Sequence, residues 1–418
     1  MLSWHTENIS DRMVSDMDSV LIRDLVQQQE LEIKTGPFGT QLKASEYVSE
    51  GTPVLNVRNL GFSTINTEKL EKVGAETLER LSAHKLHTGD IVFGRKGAVE
   101  RHAYITENED GWMQGSDCIR LRVKTERINP RFLSYYFLTA QHRAFMIGMC
   151  SHGTTMASLN QKILELISVP LPKRKTQDQI VAILNSLDTK VQINRTINDN
   201  LEEQARAYFQ ELFVDNADSE WTLGIVSDLG AIVGGSTPSK SKPEYYTKEG
   251  IAWITPKDLS INKSKFISHG ENDITELGLK NSSASIMPEG TVLFSSRAPI
   301  GYIAIASGEV TTNQGFKSVV PKPEIGTAFV YYFLKHNLPV IEGMASGSTF
   351  KEVSGSIMKN VPAIIPDTET LACFSDFCAP IFAQQRILEE QNQSLAALRD
   401  SLLPKLMSGE IDVAGIQL

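Results

Sequence analysis

The sequence predicts an α/β (α+β) protein with two tandem globular domains, joined by two long helices that pair as an antiparallel coiled coil around a pseudo-two-fold axis. Three observations predict this fold class. The chain repeats its own motifs once, each copy ends in a long segment with heptad periodicity, and each globular copy alternates short apolar runs with turn-forming clusters. A length of 418 residues leaves room for two or three domains with their own cores.

The repeat is visible as short motifs that return in the same order along the chain. The sequence YYFL at 135–138 returns at 331–334, and the QG pair at 114–115 returns at 314–315. Further matches keep this order, and the spacing between partners changes only slightly, which indicates loop insertions. A duplication explains such an ordered series better than chance does.

Two segments, 177–213 and 371–407, carry apolar residues in alternating steps of three and four, which is the heptad signature. One narrow apolar stripe needs one partner, so the economical arrangement pairs the two helices with each other. The residues predicted to form this pairing are Leu184, Leu187, Val191 and Leu201 in the first segment and Ile381, Leu388, Leu395 and Leu398 in the second. Polar residues on the same stripe cost stability and can fix the register; they are Asn194, Asn198, Gln384 and Gln391. The alternative is that each helix packs only on its own domain, for which a broader apolar stripe is typical.

The repeat and the helical segments together predict the domain boundaries. We expect an N-terminal tail at 1–20, a first globular domain at 21–172, a central helix at 173–215, a second globular domain at 216–366, and a C-terminal helix and tail at 367–418.

The net charge of −9 is unevenly distributed. Segments 1–20, 177–213 and 371–413 each carry a net charge of −3, so the rest of the chain is neutral in sum. Contacts to phosphate need local clusters of lysine and arginine, not a positive total. The charge therefore leaves DNA binding open.

Composition argues against several other classes of protein. The 4 cysteines form no C-x-x-C pair and have no accompanying histidine cluster, so we expect buried free thiols in place of a zinc site or a disulfide framework. The N-terminus carries acids and no apolar core, and no run of about 18 apolar residues occurs. We therefore expect a cytoplasmic protein without a membrane segment.

Sequence motifs for catalysis do not stand out. We find no H-E-x-x-H or G-x-S-x-G motif, and the near match to a P-loop at 234–241 has Ser239 where the second glycine belongs. We therefore expect no catalytic site, no metal and no cofactor in this chain. A duplicated scaffold without such motifs favours a binding protein over an enzyme.

Basic and amide side chains in turns of the globular domains are the candidates for DNA contact. Arginine pairs bidentately with guanine, glutamine with adenine, and lysine or arginine neutralises phosphate. Their matching places in the two halves favour contact over a solvated surface charge. The candidates are Thr40, Gln41, Lys43, Arg58, Arg95, Lys96 and Gln114 in the first half and Lys240, Lys242, Lys257, Arg297 and Gln314 in the second. For the two glutamines, a role in stabilising a turn fits equally well.

Four stretches resemble a known family, the specificity subunits of type I restriction-modification systems. Residues 398–411 (LRDSLLPKLMSGEI) resemble the C-terminal conserved region of that family, and residues 35–47 (TGPFGTQLKASEY), 235–240 (GSTPSK) and 250–254 (GIAWI) resemble its target recognition domains. The resemblance runs from about Ile22 to Val413. It implies a non-catalytic subunit in which each globular domain reads one half of a split, asymmetric site in double-stranded DNA.

The resemblance also implies partners. The paired helices would set the length of the unread spacer and dock two methyltransferase subunits, which would bind S-adenosylmethionine and flip an adenine out of each half-site. A restriction and translocase subunit that uses ATP and Mg would join for cleavage.

Three rival classes stay open. One is a specificity protein of another methylation-based phage defence system, or an orphan copy. Another is a self-sufficient methyltransferase or nuclease, against which the missing motifs count. The third is a coiled-coil adaptor that does not bind DNA.

Overall fold

The computed structural model describes residues 19–38, 41–150, 157–347, 351–413 and 415. It divides into two compact units, and both units contain parts of two long helices. The first unit comprises Met1–Thr189 and Leu395–Leu418, and the second unit comprises Lys190–Ser394.

The first unit is built on two four-stranded sheets. One sheet has the antiparallel order Leu31–Thr35, Cys118–Val123, Ile91–Gly94 and His102–Tyr104. The other has the order Tyr47–Val48, Glu71–Val73, Thr52–Leu55 and Met113–Gln114, and its last pair is parallel. Strand Ser19–Leu21 pairs antiparallel with Ser168–Pro170. The helices are Ile22–Gln27, Ala75–Arg80, Pro130–Tyr136, Ala140–Cys150 and Gln161–Glu165, with short 3-10 helices at Ala44–Glu46, Val57–Asn59, Ser82–His84 and Glu107–Glu109.

The second unit is built on one five-stranded sheet and three strand pairs. The sheet has the order Gly230–Gly234, Lys317–Pro321, Val292–Ser296, Ile300–Ala306 and Phe266–Ile267. The pairs are Thr222–Ile225 with Pro362–Ile365, Tyr246–Thr247 with Asp273–Ile274, and Trp253–Ile254 with Thr311–Thr312. The helices are Val226–Leu229, Pro256–Ile261, Glu276–Lys280, Thr327–His336, Leu338–Met344 and Gly355–Lys359, with a 3-10 helix at Pro243–Tyr245 and a π-helical turn at Glu211–Asp215.

The two units share the arrangement of their central strands. In each, a buried strand, Ile91–Gly94 or Val292–Ser296, forms an antiparallel hairpin with the strand that follows it. In each, a short strand, Thr52–Leu55 or Trp253–Ile254, pairs in parallel with the strand at the repeated glutamine. The sequence repeat is thus a repeat of structure, and the predicted α/β class with two tandem domains is confirmed.

Each core forms between the hairpin sheet and a helix behind it. In the first unit Phe93 packs in one cluster with Phe132 of the following helix, and in the second unit Phe294 packs with Phe329. Fully burying one such side chain stabilises a fold by about 1.5–3 kcal/mol. The repeated YYFL motif lies in the C-terminal part of these helices and contributes to the two cores, so its repetition reflects packing.

Two long helices carry the heptad pattern: the central helix Arg174–Gln210 and the C-terminal helix Thr368–Ser408. In the first unit, Leu184 of the central helix belongs to the same buried cluster as Leu403 and Leu406. In the second unit, the rings of Phe209 and Phe374 lie 5.8 Å apart. The helices therefore pack on each other within each unit.

Their direction follows from the polar contacts of the second unit. Asn194 Nδ2 donates to Asn392 Oδ1 at 3.0 Å, and Gln385 Nε2 donates to the carbonyl oxygen of Asn198 at 3.2 Å. Residue numbers rise along one helix as they fall along the other, so the two segments are antiparallel there. Buried Asn194 is one of the predicted polar residues on the stripe.

The buried stripe of the C-terminal helix differs from the prediction at alternate positions. Gln384 and Leu398 are exposed, the latter by 46%, whereas Gln385 is buried and Arg399 donates to Asp188 at 3.0 Å. From Ile381 the buried positions follow steps of four and then three residues, whereas the prediction had steps of three and then four. The predicted and the observed stripe both contain every seventh residue. The remaining predicted pairing residues are buried (Leu184, Ile381, Leu388) or half-buried (Leu187, Val191, Leu201, Leu395).

A buried ion network attaches the second domain to both long helices within the second unit. Lys265, whose side chain is 6% exposed, pairs with Glu202 of the central helix and donates to Gln385 Oε1 at 2.7 Å. Its ammonium group also lies 4.2 Å from the ring centre of Phe382. Glu389 of the C-terminal helix accepts from the backbone N–H of Lys265 at 2.8 Å. Burial lowers the pKa of Lys265, although the carboxylate of Glu202 opposes that change.

Two histidines of the first unit are buried beside aromatic rings. His142 lies 4.8 Å from the ring centre of Phe137, and His102 Nε2 lies 3.0 Å from the hydroxyl of Ser134. Burial lowers the pKa of both imidazoles to about 3, so they are neutral at pH 7. They serve the core and not a titrating site.

Two further expectations concern membranes and thiols. Within the described ranges, no helix has the length and apolar composition needed to cross a bilayer. All four cysteines are free, but Cys373 is exposed, with its sulfur 3.2 Å from the hydroxyl of Tyr208. The expectation of buried thiols is therefore wrong for this residue.

Candidate nucleic-acid interface

A cleft of about 700 Å³ in the second unit brings predicted contact residues together. Lys240, Lys257, Arg297 and Gln314 all line it. They come from four separate segments: the loop after strand Gly230–Gly234, the start of helix Pro256–Ile261, the hairpin loop, and the segment between two strands. The topology of the second unit therefore joins side chains that are distant in sequence.

Aromatic side chains and close backbone approaches shape this cleft. Trp253 Nε1 donates to the carbonyl oxygen of Ser236 at 3.0 Å, and the rings of Trp253 and Tyr246 lie 5.6 Å apart. Gly235 passes so close to the neighbouring segment that an added Cβ would lie 2.0 Å from the carbonyl oxygen of Asn313. Glycine is required there because any larger residue would push these walls apart.

Carboxylates hold two cations of this cleft in place. Lys257 Nζ lies 2.5 Å from Glu271 Oε2, and Arg297 Nη1 lies 3.5 Å from Glu352 Oε2. Both ion pairs are solvent-accessible, so they are weak. No carboxylate of the described residues pairs with Lys240.

Lys242 lies apart from the other predicted residues of the second half. It does not line the cleft, and its ammonium group is 3.7 Å from Glu244 Oε1 at the exposed start of a 3-10 helix. Its predicted contact with DNA therefore gains no support from the geometry.

In the first unit, predicted residues surround the hairpin loop after Ile91–Gly94. Arg95 donates its backbone N–H to the carbonyl oxygen of Asp117 at 2.8 Å, and its guanidinium lies 5.7 Å from the ring centre of Phe38. Lys96 pairs with the same Asp117 at 3.5 Å. Phe38 is 59% exposed, so this loop presents an aromatic ring beside an arginine.

The other predicted residues of the first unit lie in neighbouring loops. Arg58 pairs with Glu71 at 2.8 Å. Gln41 and Lys43 are exposed, and the backbone carbonyl of Gln41 accepts from Arg80 Nη1 at 2.8 Å. Thr40 lies outside the described residues.

The two repeated glutamines differ in their surroundings. Gln114 is fully buried, and its Nε2 donates to the carbonyl oxygens of Lys34 at 2.9 Å and Cys118 at 3.0 Å. Gln314 is exposed in the cleft, and its Oε1 accepts from the hydroxyl of Thr237. The geometry favours the structural alternative for Gln114, whereas Gln314 is accessible in the cleft.

Backbone hydrogen bonds define which residues of the two hairpin loops are equivalent. The carbonyl of Arg95 accepts from Leu159, and the carbonyl of Ser296 accepts from Val353 in the corresponding place. Arg297 therefore corresponds to Lys96, and Ser296 corresponds to Arg95. Each of these cations lies 3.5 Å from a carboxylate.

Sequence reasoning missed two arginines of the first unit. Arg101 and Arg143 both lie over the exposed ring of Phe62, at 5.6 and 5.5 Å from its centre. Arg143 belongs to helix Ala140–Cys150, far from the loop in sequence, and no motif marks it. Only the fold brings the three side chains together.

Comparison with known proteins gives consistent matches. The type I restriction modification DNA specificity domain matches residues 34–203 and 218–398. The MjaIX specificity subunit of Methanocaldococcus jannaschii is 39% identical over 191 residues, which are 44% of this chain and 44% of that protein. The HindI specificity subunit of Haemophilus influenzae is 23% identical over 401 residues, covering 77% of this chain and 86% of that protein.

Among solved structures, the S subunit of a type I restriction-modification system from M. genitalium has the same fold. It covers 94% of this chain and 97% of its own chain, with a TM-score of 0.58 and 15% sequence identity. The two matched ranges, 34–203 and 218–398, include both repeats and cover most of the chain. The chain therefore belongs to the family of non-catalytic DNA-specificity subunits of type I restriction-modification systems.

Proposed function

We propose that the two domains read the two halves of a split, asymmetric target in double-stranded DNA. The observation that carries this proposal is the cleft of the second unit, where Lys240, Lys257, Arg297 and Gln314 meet. The guanidinium and the amide have the donor and acceptor geometry for the edges of guanine and adenine, and the two ammonium groups suit phosphate.

The asymmetry of the target rests on the differences between the units. The cleft of the second unit offers an exposed glutamine, whereas the equivalent Gln114 is buried. The loop of the first unit offers Arg95 beside the exposed ring of Phe38 instead. Different side chains at equivalent places favour different bases in the two half-sites.

The central and C-terminal helices are the part that we assign to spacing and assembly. They set the number of unread base pairs and dock two methyltransferase subunits, and restriction and translocase subunits join for cleavage. Exposed acids such as Glu203 and Glu390, at 64% and 63% side-chain exposure, favour protein docking over DNA contact on these helices. S-adenosylmethionine, ATP and Mg belong to those other subunits, and the DNA target places the complex in the cytoplasm.

A genome-wide map of methylated adenine tests the proposal. The host is compared with and without this gene, and one split motif should lose its methylation when the gene is absent. An unchanged map would contradict the proposal and point to an orphan copy or an adaptor without DNA.

Point variants assign the domains to the half-sites. Arg297→Ala is expected to relax or abolish reading of one half, and Arg95→Ala to affect the other half. Both proteins should stay folded because the two side chains are partly exposed. The matched control is Lys322→Ala, an exposed cation at the opposite end of strand Lys317–Pro321. Unchanged affinity and motif in both arginine variants would remove these residues from the interface.

A further inference from the structure

An exposed aromatic ring with two arginines borders the hairpin loop of the first unit. Phe62 is 42% exposed, and the guanidinium carbons of Arg101 and Arg143 lie 5.6 and 5.5 Å from its ring centre. Both distances are within the range of cation–π attraction. One ring therefore holds two like charges that come from different parts of the fold.

These charges have little compensation within the protein. Arg101 lies 3.9 Å from Glu100, at the limit of an ion pair, and its side chain is 46% exposed. Among the described residues, no carboxylate pairs with Arg143, and its buried Nε has no hydrogen-bond partner. Cation–π contacts at exposed sites contribute only about 0.5–1 kcal/mol each, and repulsion between the cations offsets part of that. Stability of the fold alone does not explain the arrangement.

The position of the two arginines relates them to the base-reading loop. Arg95 directly follows strand Ile91–Gly94, and Arg101 directly precedes strand His102–Tyr104. These strands are antiparallel, with Phe93 opposite His102, so Arg95 and Arg101 lie at the same end of this strand pair. We therefore expect a duplex that contacts the loop at Arg95 to pass close to Arg101.

We infer that Arg101 and Arg143, supported by Phe62, form a binding site for a backbone phosphate of the DNA. This inference rests on the proposed function of the first domain. A guanidinium that lies over an aromatic face keeps its in-plane N–H groups available, and that planar fork fits phosphate oxygens. Such a contact positions the duplex and reads no bases.

The second unit has a related arrangement next to its own hairpin loop. Lys263 Nζ lies 4.4 Å from the ring centre of Tyr302, and Tyr302 belongs to strand Ile300–Ala306, which follows the loop of Arg297. Lys263 is exposed. A cation on an aromatic ring thus accompanies the reading loop in both units, with arginines in one and a lysine in the other.

The test measures binding of the full-length chain to a 5′-labelled duplex of random sequence, by fluorescence anisotropy across a series of NaCl concentrations. Each phosphate contact contributes about 0.9 to the slope of log K against log salt concentration. For Arg101→Gln/Arg143→Gln we expect that slope to fall by about 0.9, the contribution of one phosphate, with affinity reduced by at least about tenfold at low salt. Arg101→Lys/Arg143→Lys should recover most of the slope because charge is retained.

The matched control is Lys175→Gln. Lys175 is an exposed cation at the start of the central helix, and its neighbour Arg174 donates to carbonyl oxygens at the other end of the sheet. It should leave the slope unchanged. An unchanged slope in the double glutamine variant, with salt-dependent binding by the parent chain, overturns the phosphate site and leaves the proposed function intact. No salt-dependent binding by the parent chain overturns both. Equal thermal melting curves exclude misfolding as the cause of a loss.

Discussion

Replacing Glu202 with glutamine is expected to destabilise the second unit by about 3 kcal/mol. Burial opposes the ionisation of Glu202, but Lys265 and Lys335 outweigh burial and lower its pKa from 4.5 to about 2. At about 1.4 kcal/mol per pKa unit, this difference corresponds to about 3 kcal/mol. Removing one partner of a buried ion pair typically costs about 3–5 kcal/mol, which agrees with that value.

The deficit should also depend on pH. In the parent protein Glu202 binds its proton more weakly when folded, so its contribution is complete above pH 4.5 and is lost as the pH falls toward 2. In Glu202→Gln, Lys265 stays buried without its carboxylate, and its pKa falls further. The folded variant then binds fewer protons than the unfolded chain. The stability deficit of the variant therefore shrinks as the pH rises toward the pKa of an ordinary lysine.

Hydrogen exchange of peptides from 190–394, followed through a urea series, measures the stability of the second unit separately. This matters because a chain with two units need not unfold in a single step. Glu203→Gln, next in sequence but exposed, is the control and should show no change. Glu202→Leu/Lys265→Met, which removes both charges, should stay near the parent stability. A deficit below about 1 kcal/mol, or one independent of pH, would refute the argument that the pair is a buried, mutually dependent ion pair.

Three further predictions concern the helices and the first unit. Inserting one heptad into the central helix should change the tolerated spacer of the methylated motif or abolish activity, and an unchanged spacer would exclude the helices as its determinant. Burial lowers the pKa of His142 to about 3. The first unit should therefore lose about 2 kcal/mol of stability through this residue as the pH falls from 6.5 to 5. Urea titrations at both pH values should show that His142→Phe removes this loss. Gly36→Ala should destabilise the first unit by about 1–3 kcal/mol, because the new Cβ would lie 2.0 Å from the carbonyl oxygen of Gly115. The control Gly74→Ala, with no atom within 4 Å of its Cβ, should keep the parent stability. Equal melting temperatures of the two variants would contradict this prediction.

The helical pattern shows how far periodicity can predict a buried face. A step pattern of three and four fixes every seventh residue, and Ile381 and Leu388 are buried as expected. The phase between them is ambiguous, because Gln384 and Gln385 are equally polar and neither marks the interface. The choice depends on Lys265, which directly precedes strand Phe266–Ile267 and reaches Gln385 from far away in sequence. Such a contact is invisible to any local pattern.

The candidate site was predictable where the repeat marked it. The cations Lys257 and Arg297 stand at places that the repeat marks, and the fold brings both to one cleft. The repeat was misleading for the glutamines, because burial of Gln114 depends on carbonyl groups of two strands. Arg143 was missed because it stands on a helix without any motif, and only tertiary packing places it over Phe62.

The strand pairs at the base of each unit have a consequence for how such chains can diversify. Ser19–Leu21 pairs with Ser168–Pro170, and Thr222–Ile225 pairs with Pro362–Ile365, so in each unit the polypeptide enters and leaves at adjacent points. A segment with neighbouring ends can be exchanged for another of the same topology at little cost to the host structure. Each recognition domain is in this sense a cassette, and one genetic crossover near each strand would give the chain a new half-specificity.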